Sequence, residues 1–492
     1  MGSGMLDLWP DEAIEAIHET SIAVLEQVGV QVESPAAREI LLGAGCTEGD
    51  RGRIRMPRSV VGDAVAACPS GFTLVARDDA RSIPVDPDPG AAFVHNMGGA
   101  RDIVDAKTGV GRRATMADQV RLTRVMHHMA NLHSVTSLVQ PDDVPHPLEP
   151  LYSYLVLAHE TDKPIGGPGI SFAFQADALR RMAMAVTGAD GTDGRYPVDL
   201  AFSPVSPLQL GAEVTDALIA TVRAGHVAVE ILPCPAAGTT APGSMSAALA
   251  TQNTEVLAGL VLTQVVAPAT PLYYGPRLSS INPRTGMVTS GPPETGIASI
   301  AATLLARKYG LACDCYGPTS DSVVVDTQFG YEHMANAILG LAARPRFLSG
   351  AGENQSGVAG SVEALVIDDE ILNYAFYAYR QPAWDADALS LDAIVEGLES
   401  DFGFLGTSHT RTYLRSDFVR PLLSYRGGFG EWQASGRTGL ADLATERAAA
   451  VVANEPVGLP DDLLMTLCTL IDETAATIGL DSWPDPRLLL GA

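Results

Sequence analysis

Between residues 131 and 410 the chain alternates short apolar runs with longer stretches of helical period. That alternation limits the fold more than any other feature. The candidate strands are His133–Val139, Pro164–Gly167, Val198–Phe202, Val227–Leu232, Pro271–Tyr274, Ala312–Tyr316, Phe347–Leu348 with its neighbours, and Gly403–Leu405. Helical patterns fill most of the gaps, over residues 148–160, 173–187, 211–224, 244–266, 293–309, 327–343 and 361–380. Eight strands with intervening helices predict an α/β fold of the TIM (β/α)8 barrel type. An open doubly wound sheet is the alternative, and it lacks support because no GxGxxG follows an early strand.

The flanks read differently. Met1–Gly4 resembles an expression scar. Residues 5–130 read as an N-terminal helical and β-rich addition. Helical spacing covers 11–30, Ser34–Gly43 and 58–68, and strand-like runs follow at Phe72–Ala76, Ala91–Val94 and Arg101–Val104. Thr115-Met116-Ala117-Asp118 has the shape of a capping box and opens a further helix. The barrel is assigned to 131–410, and 411–492 to a C-terminal segment whose helices Leu440–Val452 and Pro460–Ile478 pack on it. The Arg- and aromatic-rich start of that last segment predicts a homo-oligomer contact.

Charge and cysteine content exclude several functions. A formal charge of −26 argues against nucleic acid, whose phosphates demand clustered Lys and Arg. It suits a cationic substrate or a generally acidic, soluble surface. No run approaches the roughly 18 apolar residues of a membrane helix and no secretory signal is visible, so a cytoplasmic location is expected. The six cysteines are scattered, which fits reduced thiols. Cys313-Asp314-Cys315 lacks zinc spacing and reads as inward/outward alternation along a strand, so no metal site is expected.

In a barrel of this kind, chemistry sits beyond the carboxyl ends of the strands. The stretch Leu311–Tyr331 shows the pattern well. An apolar run breaks at Gly317-Pro318 and is followed by Ser320, Asp321, Asp326 and Gln328 ahead of a helix, where Asp326 serves equally as a simple cap. Other strand tails offer Glu230 and Cys234, Tyr273 with Tyr274 and Arg277, Glu353 with Asn354, and Ser408 with His409. His95 and Asn96 reach in from the N-terminal region. Acidic and aromatic groups at one mouth suit a cation or an amine. No Ser–His–Asp order and no HExxH is present.

Several of these stretches, taken in order, are familiar. They include His95-Asn96-Met97-Gly98-Gly99, Asp105-Ala106-Lys107-Thr108-Gly109, Ala237-Gly238-Thr239-Thr240-Ala241-Pro242 and Gln252-Asn253-Thr254-Glu255-Val256-Leu257-Ala258-Gly259. Thr319-Ser320-Asp321, Asp326-Thr327-Gln328-Phe329-Gly330-Tyr331-Glu332 and Asp368-Asp369-Glu370 follow. The set resembles the trimethylamine methyltransferase (MttB) family over nearly the whole chain. The resemblance implies a TIM-barrel enzyme that takes a methyl group from a methylated amine and passes it to the cobalt of a separate corrinoid protein. The founding members carry pyrrolysine. Here every residue is standard, and none of Lys107, Lys163 and Lys308 lies at a strand tail. The implied substrate is therefore a quaternary amine such as glycine betaine, as for relatives without pyrrolysine.

A quaternary ammonium leaves as a neutral amine, so its demethylation needs alignment and a dry pocket rather than an acid. A carboxylate pressed on the cation would stabilise the ground state more than the transition state. Tyr273 or Tyr274, with Phe329 or Tyr331, are expected beside the cation. The acidic groups Glu230, Asp321 and Asp326 are expected one layer out as the candidate catalytic set. His95, Asn96, Gln328, Glu353, Asn354 and His409 complete the candidate substrate-binding set. No tightly bound cofactor is expected. Tetrahydrofolate as direct acceptor, with Glu230, Asp321 or Asp326 near its N5, and a non-catalytic quaternary-ammonium-binding barrel remain as alternatives.

Overall fold

The computed structural model describes residues 6–88, 90–105, 108–436 and 438–490; Met1–Gly4 and Lys107 lie outside them. Its centre is a set of short parallel strands. Asp199–Phe202 pairs with Ala228–Ile231, which pairs with Leu272–Tyr274. Asp314–Tyr316 pairs with Phe347–Ala351, which pairs with Phe93–Asn96. Single parallel bridges join Tyr274 to Cys313, His95 to Ser134, Val135 to Ile165 and Gly169 to Ala201. Most of these strands are buried on both faces, as their near-continuous apolar sequences require.

Helices cover the outside of the strands, and the chain is a mixed α/β protein. Helices Glu149–Glu160, Ala173–Thr187, Ala212–Ala224, Met245–Val266, Glu294–Lys308, Thr327–Ala342 and Val362–Ala378 follow one another around the strands, each packing on its neighbours. Met245–Val266 is apolar nearly all round because the N-terminal helices Asp11–Ala23 and Arg58–Ala67 lie on its outer side. Leu440–Val452 covers Val362–Ala378, and Asp461–Thr477 covers Ala173–Thr187. No helix among the described residues is long and apolar enough to cross a membrane.

One expectation needs correction. Gly403–Leu405 is not a strand. Gly403 has φ +58, and Gly403–Gly406 forms a short 3-10 turn with Phe404 and Leu405 in solvent. The strand beside Phe347–Ala351 comes instead from far upstream, at Phe93–Asn96. The alternation expected at Cys313-Asp314-Cys315 is present: the two thiols face Thr303 on the outer helix, and the carboxylate faces inward.

One end of the strand assembly is stoppered. The hairpin Phe72–Leu74 with Ile83–Val85 packs Phe72, Leu74, Ile83 and Val85 against Ala228, Tyr273, Ala312 and Phe347, which lie at the amino ends of their strands. Phe72 meets Tyr273 with ring centroids 6.3 Å apart. The carboxyl ends remain open, and the site forms there.

Candidate functional site

Five strands each turn one polar side chain inward: His95, Asp199, Glu230, Tyr273 and Asp314. Buried ionic groups are costly unless paired, and the pairing here is nearly complete. Asp314 Oδ2 accepts from Arg277 Nη2 at 2.6 Å and from His95 Nε2 at 2.9 Å. Arg277 Nη1 donates to the carbonyls of Asp314, at 2.6 Å, and Pro276, at 3.0 Å. The other ring nitrogen of His95 faces the Asn96 carbonyl at 2.8 Å. Glu230 lies 3.5 Å from Arg277 Nη2. The Tyr273 hydroxyl donates to Asp199, whose carboxylate also accepts Gly167 N–H at 2.9 Å.

The carboxyls of this cluster differ in charge for physical reasons. Burial pushes Asp314 up, but the charges of Arg277 and His95 outweigh it and hold the group below the usual carboxylate range. Burial, reinforced by the neighbouring Asp314 charge, raises Glu230 well above its ordinary value. Burial raises Asp199 to about 6 against the Tyr273 hydrogen bond. Asp199 Oδ1, Glu230 Oε1 and Asp314 Oδ1 are buried without a hydrogen bond. The cluster thus has acceptor capacity to spare and no free cation.

Above it opens a cavity of about 340 Å3, at the small end of the ~300–1,000 Å3 typical of small-molecule sites. His95, Glu230 and Arg277 contribute to its floor, while Tyr154, Leu157, Ile165, Leu232 and Tyr316 supply apolar and aromatic wall. The Tyr316 face already carries the Arg277 guanidinium, 5.3 Å from the ring centroid. Tyr154 comes from helix Glu149–Glu160, and its hydroxyl is buried without a partner. Glu149 opens the same helix and accepts the Ser153 hydroxyl at 2.6 Å; burial raises it to about 7. Gly98, Gly99, Gly167 and Gly169 keep the mouth low. A Cβ at Gly169 would meet open space.

The cavity thus combines a mouth of parallel strands, an acid-rich floor and apolar and aromatic walls. The Trimethylamine methyltransferase (MTTB) family model matches residues 2–479. The chain belongs to that family. It is a methyltransferase. It is 28% identical over 480 residues to a glycine betaine methyltransferase of Desulfitobacterium hafniense, covering 95% of this chain and 97% of the relative. It is 26% identical over 473 residues to a trimethylamine methyltransferase of the same species, covering 96% and 94%. A trimethylamine methyltransferase of Methanosarcina mazei is 28% identical over 493 residues, covering 95% of each chain.

The residues expected from sequence divide into three groups in this methyltransferase. His95, Asn96 and Glu230 line the cavity, and Tyr273 lies within 3.5 Å of Glu230. The Asn96 amide is consumed by structure, however: it donates to Met97 and Thr136 carbonyls and accepts Thr136 N–H. A second group forms its own network apart from the cavity lining. Asp321 accepts Ser290 and Gly291 N–H at 2.9 and 3.1 Å, and Glu353 accepts Ser320 N–H at 2.9 Å. Gln328 binds Glu332 at 3.1 Å, Asp326 caps helix Thr327–Ala342 through Phe329 N–H, and Phe329 stacks on His333 at 3.8 Å. Asn354 is buried beside Glu353 with both amide atoms unpartnered.

A third group lies elsewhere. The Tyr274 hydroxyl donates to Asn253 in the helical layer at 3.0 Å, because adjacent strand residues face opposite ways. Tyr331 is 61% exposed. His409 sits on helix Ser408–Ser416 and faces the Ala388 carbonyl. Tyr274, Asp321 and Glu353 therefore do not meet at the mouth. The convergence is made by His95, Asp199, Glu230, Arg277 and Asp314. Asp199, Asp314, Glu149, Tyr154 and Tyr316 escaped the sequence reading.

Proposed function

We propose that this methyltransferase removes a methyl group from a quaternary amine of the betaine type and passes it to the Co(I) of a corrinoid carried by a separate protein. The observation that carries the reading is the cavity: an apolar and aromatic wall above a buried carboxyl cluster that has spare acceptors and no free cation. We further read the strands as a (β/α)8 barrel entered at Phe93, with N-terminal and C-terminal segments packed outside. The chain of parallel ladders and single bridges from Phe93–Asn96 round to Phe347–Ala351 supports that reading.

In the reaction one C–N bond breaks and its electron pair stays on nitrogen, giving a neutral tertiary amine, so no proton is required. The corrinoid supplies a strong nucleophile. The residues of this chain bind, orient and desolvate. Tyr154 offers a π-face to the ammonium. Arg277 and His95 neutralise Asp314, so that carboxylate does not pin the cation in its ground state. The glycine rim and the open space at Gly169 leave room for a large acceptor to approach.

A direct tetrahydrofolate acceptor has one observation in its favour. Methylation at N5 releases a proton, and Glu149, raised to about 7 at the cavity, is placed to receive it. The deciding experiment incubates the protein with glycine betaine and related betaines. One arm supplies reduced corrinoid, free and carrier-bound, and the other tetrahydrofolate; the tertiary amine is followed by mass spectrometry. Product only with corrinoid supports the main reading. Product with tetrahydrofolate alone replaces the acceptor. Tight binding without product in either arm leaves a binding protein and ends the enzymatic proposal for these substrates.

A further inference from the structure

Half of the exposed large apolar side chains among the described residues fall between 384 and 440. Trp384, Phe402, Phe404, Phe418 and Phe429 are 71%, 81%, 50%, 61% and 72% exposed. At ~150–250 Å2 for a whole aromatic side chain, these five alone show on the order of 500–850 Å2 to solvent. That reaches or exceeds the ~300–600 Å2 of a typical largest surface patch and approaches the ~800 Å2 each partner gives a standard interface.

The segment is ordered, and its apolar face has a helical logic. Helix Leu391–Glu399 is capped by Ser390 and buries only Gly397, against which Phe404 packs. Leu391, Ile394, Val395 and Leu398 are spaced i, i+3, i+4, i+7 and all point outward, 43–74% exposed. Residues 416–426 are tied down along helix Val362–Ala378. Glu370 accepts the N–H groups of Leu422, Leu423 and Ser424, and Asn373 donates to the Arg420 carbonyl.

Charge says what covers this face. Residues 385–401 carry six acidic groups and no basic one. Residues 411–426 carry Arg411, Arg415, Arg420 and Arg426 with one acid, Asp417. One continuous segment thus has an acidic apolar half and a basic aromatic half. A surface that is its own complement is what a two-fold interface requires, because each half meets the other half of its twin. A methyl carrier must dock and leave at every turnover, whereas so apolar a face calls for permanent cover. We infer that a second copy of this chain covers residues 384–440 in a two-fold dimer, the Leu391–Glu399 half of one subunit on the Arg411–Arg426 half of the other.

The test is the particle mass of the full chain by light scattering and sedimentation at micromolar concentration. The expected value is twice the 51.5 kDa chain mass, or an even multiple of it. Leu391→Glu with Leu398→Glu is expected to halve the mass, or the multiple, with circular dichroism unchanged, since neither side chain is buried. Arg411→Glu with Arg415→Glu is expected to weaken self-association at least ten-fold, and adding Asp392→Lys with Glu396→Lys to restore it. A wild-type monomer overturns the proposal. So does an assembly that survives the leucine pair, or a charge swap without rescue. These readouts concern mass alone and stand whether or not the proposed demethylation is correct.

Discussion

The assignment of charge in the buried cluster leads to opposite outcomes for two similar substitutions. Asp314→Asn removes a carboxylate that neutralises Arg277 at 2.6 Å and His95 at 2.9 Å, deep inside the fold. Breaking such a pair from one side costs about 3–5 kcal/mol, because the Arg277 guanidinium stays buried. Glu230→Gln replaces a carboxyl whose neutral form burial and Asp314 favour with an amide of the same shape, which is expected to cost less than ~1.5 kcal/mol. Urea unfolding at pH 7, followed by circular dichroism and tryptophan fluorescence, compares the two. The pH dependence adds a sign. Asp314 is depressed in the fold, so its contribution is complete above the unfolded value near 3.8 and is lost as pH falls through the folded one; the Asp314→Asn deficit persists at pH 5 and closes only in strong acid. Glu230 is raised, so the stability of its neutral form is complete below about 4.5 and is lost as pH rises through the folded value. Glu230→Gln therefore gains on wild type toward alkaline pH. Equal costs for the two variants at pH 7, or a larger one for Glu230→Gln, would refute this division of charge.

Three further expectations concern the cavity. Tyr154→Leu should raise the dissociation constant of a bound quaternary ammonium about two- to thirty-fold, the ~0.5–2 kcal/mol of a cation–π contact, while Tyr154→Phe keeps it; isothermal titration decides, and equal affinities remove Tyr154 from the cage. Cation affinity should strengthen as pH rises through about 7, where Glu149 ionises, and Glu149→Gln should flatten that profile; a profile that persists in the variant places the titrating group elsewhere. Gly275→Ala puts a Cβ against the Glu230 carboxyl and should cut turnover at least ten-fold, visible in product formation, with the far-ultraviolet spectrum preserved; full activity would show that Glu230 need not hold its position.

The periodicity of the chain located most of the central strands because buried parallel strands leave a compact local signature. Val198–Phe202, Val227–Leu232, Pro271–Tyr274 and Ala312–Tyr316 all contain the observed ladders. What failed was pairing across distance. Gly403–Leu405 has the right letters for a strand and no partner, and Phe93–Asn96 lies some 250 residues before the strand it joins. Local pattern says that a run is apolar but not which edge it completes. The site was legible to the same degree. Glu230 and His95 were found because they stand near strand ends. Asp199 and Asp314 were passed over because a lone acid inside an apolar run reads as the outward member of an alternation. Here three strands each carry such an acid, in VDLAF, VAVEIL and ACDCY, and that recurrence was the missed signal. Tyr154 left no signal at all: it belongs to a helix whose other residues are equally buried.

The same recurrence bears on how a cation could react in this cavity rather than merely rest there. Three carboxyls from three strands lie under one cavity, two of them, Asp314 and Glu230, beside one arginine, and an unshielded set would hold a quaternary ammonium tightly in its ground state and raise the barrier to losing its charge. The arrangement avoids this in two ways. Arg277 and His95 take up the one group that is firmly ionised, and desolvation favours the neutral form of Glu230 and raises Asp199 to about 6. The floor is then polar but close to neutral, and the cation is left to the softer field of Tyr154 and the apolar wall, which loses less when the charge disappears. On this argument Arg277 is the positioning residue on which the rest depends. Arg277→Met, if it folds, should bind the quaternary ammonium more tightly and turn it over more slowly, lowering KM and kcat together. A rise in KM at constant kcat would show instead that the guanidinium only shapes the pocket.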